Sequence, residues 1–175
     1  MNKNIMQDAD YVNIVSEFLS NPNIQKLKNI PHHDSNRFNH SLKVSYYSYK
    51  ICKKLNLNYK SAAKAGILHD LYFNRTTDYK KIKDKIKLYT NAHPETALKN
   101  AKAITDLTEL ETDIIISHMW PLSTHFPKHK ESLLLGTVDA VISTKEFVSK
   151  FNYKLSYVIG VYFIFLCCFV FKSNI

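Results

Sequence analysis

The chain has 175 residues, and 24 Lys and Arg side chains against 15 Asp and Glu give it a formal net charge of +9. Hydrophobic residues make up 45% of the sequence, which excludes a disordered basic tail and is enough for one domain with a buried core. Three cysteines without CxxC spacing exclude a disulfide framework and a cysteine zinc site, and favour an intracellular compartment. Only three glycines and five prolines favour long helices over a β fold rich in turns.

Apolar periodicity predicts helices along most of the chain. In chain order they cover residues 10–19, 41–55, 59–72, 79–89, 94–104, 108–119 and 131–148. A polar loop is expected over residues 31–39, and Pro94 is assigned to the first position of its helix with His93 as the N-cap. No repeat or low-complexity linker divides the chain, so residues 1–150 are predicted to form one helical domain.

Residues 155–171 form an uncharged apolar segment between lysines. As a helix, these residues would be about 26 Å long, just short of the roughly 30 Å hydrocarbon core of a membrane. The favoured interpretation makes residues 151–175 an apolar C-terminal helix packed on the domain or in a homodimer interface, and the alternative is a membrane anchor. The polar residues 1–10 predict no cleavable signal, so we expect a cytoplasmic protein, with membrane association through 155–171 as the alternative.

Several histidines and aspartates fall within or at the ends of predicted core helices, next to apolar neighbours. They are His40, His69, Asp70, His93, His118 and Asp139. Such groups are costly to bury unless they are hydrogen-bonded or bind a metal. A single histidine in this setting is more often a core or surface residue than a ligand, but this combination favours a metal site. The remaining histidines are assigned to solvent: His32, His33, His125 and His129.

The motifs around these residues are Arg37-Phe-Asn-His40, Gly66-Ile-Leu-His69-Asp70, His93-Pro94, Ser117-His118 and Val138-Asp139. Their order, H…HD…H…H…D, resembles the six-ligand variant of the HD superfamily of metal-dependent phosphohydrolases, and the resemblance covers about residues 12–150. It implies an all-α helical bundle that hydrolyses a phosphomonoester or phosphodiester, with a nucleotide as the expected substrate.

The resemblance also implies a role for each ligand. The first metal ion would be held by four residues: His40, His69, Asp70 and Asp139. The second would be held by His93 and His118, with Asp70 bridging both ions and orienting the attacking water as the catalytic residue. Imidazole and carboxylate donors suit two divalent ions of iron, manganese, cobalt, nickel or zinc.

Arg37 and Arg75 are the two arginines of the chain, and both lie near the ligand motifs in sequence. Bidentate contact of a guanidinium with phosphate is their expected role, and ordinary surface arginines are the alternative. HD-GYP phosphodiesterases carry a lysine where this sequence has Phe73, and the GYP motif is missing, which argues against cyclic di-GMP as the substrate. Trp120 follows the His118 motif and is interpreted either as a wall for a nucleobase or as core packing.

The lysines of residues 80–87 lie in no recognised nucleic-acid motif, so they predict a solvated surface that steers phosphorylated substrates rather than specific nucleic-acid binding. The same ligand set and the apolar C-terminal segment are also compatible with two other functions. Some HD-fold proteins with six ligands resemble di-iron oxygenases, and a non-catalytic regulatory module at the membrane would explain the apolar tail.

Overall fold

The computed structural model describes residues 2–32, 35–73 and 85–148. Within these ranges the fold is helical apart from one very short hairpin, which confirms the predicted all-α class. None of the described helices is long and apolar enough to cross a membrane. Arg75 and the apolar segment 155–171 lie outside the described residues, so the predicted division of the chain at residue 150 stays a prediction.

The described α-helices are α1 (Asn2–Ile5), α2 (Ala9–Ser20), α3 (Pro22–Gln25), α4 (Arg37–Lys54), α5 (Tyr59–Leu68), α6 (Lys85–Lys102), α7 (Glu109–Ser117) and α8 (Lys130–Val148). A 3-10 helix over Lys26–Asn29 follows α3. Strands β1 (Pro31–His32) and β2 (Ser35–Asn36) then pair antiparallel, with His32 opposite Ser35.

Side-chain caps determine where the helices of the site begin. The side chain of Asn36 accepts a hydrogen bond from the backbone N–H of Asn39 at 2.9 Å and so caps α4. Thr108 and Glu111 form a reciprocal capping box at the start of α7. Because these caps satisfy backbone N–H groups that the first helical turn leaves free, they fix the start of each helix from its local sequence.

Helix α4 packs against α5 and α8, and α7 packs against α5, α6 and α8. Two glycines allow the closest approaches between these elements. A Cβ added to Gly66 on α5 would lie 2.6 Å from the Cα of Ser45 on α4, and one on Gly136 of α8 would lie 2.8 Å from the backbone oxygen of His118. Both contacts are tighter than a methyl group allows, so these glycines bring the ligand-bearing helices together.

Two local predictions are wrong. The expected loop over residues 31–39 instead contains the hairpin and the start of α4, because Asn36 supplies an N-cap. His93 is not an N-cap, since α6 runs from Lys85 to Lys102 with Pro94 inside it. Pro94 removes one helical hydrogen bond, but His93, Ala97 and Ala101 are buried at four-residue spacing, and that packing keeps the segment helical.

Candidate metal centre

The structure brings the six predicted ligands together in one buried cluster of the described chain. Their exposed fractions run from 0% to 8%. Within the cluster, donor atoms of His40, His69 and Asp139 all lie within 4.8 Å of one another, and so do those of His69, Asp70 and His118. Residues from α4, α6, α8 and the ends of α5 and α7 therefore meet at a single point of the bundle.

His69 and His118 are the C-caps of α5 and α7, and both orient their rings in the same way. The Nδ1 of His69 donates to the backbone oxygen of Gly66 at 2.8 Å, and that of His118 donates to Ile115 at 2.7 Å. Carbonyl oxygens only accept hydrogen bonds, so Nδ1 carries the proton in both rings. The Nε2 of each ring is therefore directed to the cluster, where it can coordinate a metal ion.

His40 and Asp139 approach His69 within the cluster. The Nε2 of His40 lies 2.9 Å from Oδ1 of Asp139, and the Nε2 of His69 lies 3.8 Å from the same oxygen. Burial lowers the pKa of His40, but hydrogen bonds to Asp139 and Glu146 outweigh it and raise the pKa to about 10. Burial acts to raise the pKa of Asp139, but the hydrogen bond from His40 and the nearby charge of His69 hold it well below its usual range.

His93 joins the cluster from the interior of α6. Its Nε2 lies 3.0 Å from the Nε2 of His118 and 3.6 Å from Oδ1 of Asp70, while His118 lies 3.8 Å from the same carboxylate oxygen. Burial, followed by the charges of His69 and His93, lowers the pKa of His118 to about 3. His118 is therefore neutral near pH 7, with the lone pair of Nε2 available to an ion.

Asp70 lies between the two sides of the cluster, and Arg37 lies behind it. The Nε of Arg37 is 3.9 Å from Oδ2 of Asp70, and the guanidinium stacks 3.6 Å from the ring centre of Tyr72 while donating to the backbone oxygen of that residue. Burial acts to raise the pKa of Asp70, but the charges of His69 and His93 hold it well below its ordinary value. Asp70 is thus an ionised, buried carboxylate within a group of imidazoles.

The arrangement fits a divalent transition metal. Bonds of about 2.0–2.2 Å to nitrogen and oxygen place neighbouring ligands roughly 3 Å apart around an ion, which matches the 2.9 Å and 3.0 Å separations from His40 to Asp139 and from His93 to His118. The Nε2 of His69 is buried and has no hydrogen-bond partner among the described residues. A buried nitrogen of this kind needs a partner, and a metal ion would supply one.

Two neighbours of the cluster were missed by the sequence analysis. His32, which was assigned to solvent, is half-buried, with its ring centre 4.5 Å from that of His40 and a nitrogen within 4.8 Å of donor atoms of His40 and Asp70. The hairpin that carries His32 has no apolar periodicity to reveal it. Glu146 contacts His40 and Lys43, and its spacing of seven residues from Asp139 on α8 was the signal that could have found it.

The other predicted residues lie apart from these donor groups or outside the described chain. His125 is partly exposed, with its Nε2 3.9 Å from Oε1 of Glu95, and His129 is also partly exposed. The Trp120 ring packs edge-on against Phe126 at 5.3 Å between ring centres. Arg75 and His33 are not among the described residues.

The comparison with protein families agrees with this geometry. The family model of the HD domain matches residues 37–139, which is more than half of the chain and runs from Arg37 to the last of the six ligands. The chain therefore belongs to the HD-domain family, and this places it in a superfamily of metal-dependent hydrolases. No curated protein and no solved structure matches it.

Proposed function

We propose that the protein is a phosphohydrolase with two divalent metal ions that cleaves a phosphomonoester or phosphodiester bond of a nucleotide. One observation carries the proposal. The chain belongs to the HD-domain family, and the side chains of its own H…HD…H…H…D set converge in one buried cluster. When bound, the ions supply a water of lowered pKa and polarise the phosphoryl oxygens.

The ligand assignment follows from which side of Asp70 each residue occupies. His40, His69 and Asp139 form one group of donors, and His93 and His118 face each other on the other side. The carboxylate of Asp70 lies near both sides, which suits a bridging ligand. An ionised carboxylate at this position also accepts a hydrogen bond from a nucleophilic water and so orients it.

Arg37 has a different part in this proposal from the phosphate contact that the sequence favoured. Its guanidinium is completely buried and contacts Asp70 and Tyr72, so we propose that it holds the Asp70 carboxylate in place. Arg75 is then the arginine proposed to contact the substrate phosphate.

The nucleotide substrate is proposed from two features. The first is the net charge of +9, which attracts phosphorylated molecules. The second is the position of Trp120 two residues after His118, packed on the 68% exposed ring of Phe126. An exposed aromatic ring close in sequence to a proposed metal ligand is a candidate surface on which a base can stack.

A direct test uses the full-length chain purified without added metal ions. Its metal content is measured, and phosphate or nucleotide release is followed with p-nitrophenyl phosphate, bis-p-nitrophenyl phosphate, nucleoside phosphates and cyclic dinucleotides. We expect bound transition metal and hydrolysis of at least one nucleotide that stops in the presence of a chelator. Oxygen uptake without phosphoester cleavage would contradict the proposal and favour the oxygenase alternative, while a metal-free, inactive chain would favour the regulatory one.

A further inference from the structure

The ligand histidine His40 is placed differently from His69 and His118. Those two residues end their helices, where carbonyl oxygens three residues earlier are free to accept from Nδ1. His40 is the fourth residue of α4, where the helix uses its carbonyl oxygens for its own hydrogen bonds. The Nδ1 of His40 therefore needs an acceptor from another part of the chain.

Glu146 on α8 provides that acceptor. Its Oε2 lies 3.0 Å from Nδ1 of His40, while the Nε2 of the same ring lies 2.9 Å from Asp139. Asp139 and Glu146 are seven residues apart, which is nearly two full helical turns, so they share one face of α8. The imidazole of His40 is consequently held at both nitrogens by carboxylates of a single helix.

Lys43 fixes the other oxygen of Glu146. Its Nζ lies 2.6 Å from Oε1, and it is three residues after His40, on the same face of α4. Both side chains are largely enclosed, with exposed fractions of 13% for Lys43 and 5% for Glu146. Because one oxygen binds Lys43, the other is directed to His40.

We propose that Glu146, oriented by Lys43, is a positioning residue for His40 in the metal centre. Glu146 keeps the proton of the neutral ring on Nδ1, so that the lone pair of Nε2 faces the ion. This inference rests on the assignment of His40 as a metal ligand in the proposed function, and it adds two residues that the ligand motifs do not include.

The competing explanation is that Glu146 only joins α8 to α4. Glu111 offers a matched control for it, since it is also a buried glutamate in contact with a lysine: its Oε2 lies 3.5 Å from Nζ of Lys64, and its Oε1 accepts from Ser61. Glu111 belongs to none of the donor groups formed by the described residues. Removing its charge tests the loss of a buried ion pair away from the metal centre.

The experiment measures the affinity of the full-length chain for Co²⁺ by competition with a chromophoric chelator, together with the visible spectrum of the Co²⁺ form. We expect Glu146→Gln to weaken Co²⁺ binding by about 10–100-fold and to change the spectrum, as is typical when the partner of a ligand histidine is lost. Glu111→Gln should lower the melting temperature and leave both metal readouts unchanged. Lys43→Met should weaken binding in the same direction, and Lys43→Arg should restore it.

Wild-type affinity and spectrum in Glu146→Gln, or equal losses in Glu146→Gln and Glu111→Gln, would overturn the positioning role. If Glu146→Gln does not fold, the pair Lys43→Met and Lys43→Arg decides the question, and wild-type affinity in Lys43→Met would overturn the role. The positioning role and the proposed function can fail independently. If the variants show the expected differences in Co²⁺ affinity but the wild type cleaves no phosphoester, the positioning role is supported and the hydrolase function is contradicted.

Discussion

Two parts of the metal centre are built in different ways: the helix ends that carry His69 and His118, and the contact between α4 and α8 that holds His40. His69 and His118 are fixed by backbone carbonyls three residues before them, at the ends of α5 and α7. His40 is fixed by Asp139 and Glu146, which are 99 and 106 residues away along the chain. The rings of His69 and His118 are therefore oriented by their own helices, while the ring of His40 is oriented only when α8 packs on α4.

His118 and His40 also differ in charge in the absence of metal. Burial lowers the pKa of His118 to about 3, whereas the carboxylates around His40 raise its pKa to about 10 despite burial. Near pH 7, His118 is ready to bind an ion and His40 must first lose a proton. Burial lowers the pKa of His69, but the charges of Asp70 and Asp139 outweigh it and raise the pKa, so metal binding by His40 and by His69 is coupled to proton release.

Substitution of the residue shared by both sides should have the largest effect. Asp70→Asn keeps the shape of the side chain but removes its charge, so both ions lose a ligand. Loss of an outer partner already costs about 10–100-fold in metal affinity or activity, and we expect more than about a hundredfold loss of phosphoester hydrolysis here. The measurement is the rate of product release at saturating metal, with metal content determined in parallel.

Asp113→Asn is the matched control for Asp70→Asn. Asp113 is a buried aspartate that accepts hydrogen bonds from the backbone N–H of Lys128 at 2.9 Å and from Oγ of Ser132 at 2.6 Å. Its substitution should reduce stability without changing metal content. Full activity in Asp70→Asn would contradict the role of Asp70 as a metal ligand and catalytic residue.

Substitution of a ligand of the second ion should remove that ion and leave the first one bound. His93→Ala removes one of the two histidines proposed to hold the second ion and leaves His40, His69 and Asp139 in place. We expect the bound metal to fall from two ions per chain to one, with activity strongly reduced. Elemental analysis of the variant checks this, and loss of both ions or of neither would contradict the division into two sides.

Metal affinity should rise with pH because protons compete for the donor nitrogens. The pKa of His40 is raised to about 10, so at pH 6–8 this ring releases a proton on binding, and affinity should increase about tenfold per pH unit for each proton released. The pKa of His69 is also raised, so its proton adds to this dependence, whereas the low pKa of His118 adds none in this range. Competition titrations at pH 6, 7 and 8 test the slope, and a pH-independent affinity would contradict a charged His40.

The smallest predicted effect concerns the packing that joins the two sides. In an open helix, Gly→Ala raises stability by about 1 kcal/mol, but a Cβ at Gly136 would lie 2.8 Å from the backbone oxygen of His118. We therefore expect Gly136→Ala to lower the free energy of unfolding by about 1–3 kcal/mol. Chemical denaturation measures it, and an unchanged or more stable variant would show that α8 and the end of α7 are not in such close contact.

The sequence predicts best what is determined locally. Scarce glycine and proline, together with apolar periodicity, indicated the helices, and the polar residues in apolar surroundings indicated the ligand candidates. What it could not predict depends on distant parts of the chain. Burial of Ala97 and Ala101 outweighs the helix-breaking tendency of Pro94, and the hairpin places His32 beside His40. The contact between Glu146 and His40 requires the completed bundle.

We propose that Asp70 and the five ligands on its two sides hold two metal ions. The most direct measurement is the transition-metal content per chain of the full-length protein, purified without added metals and compared with Asp70→Asn and Asp113→Asn prepared in parallel. We expect two ions per chain in the wild type and in Asp113→Asn, and fewer in Asp70→Asn. Equal metal content in all three proteins, or none in the wild type, would contradict it.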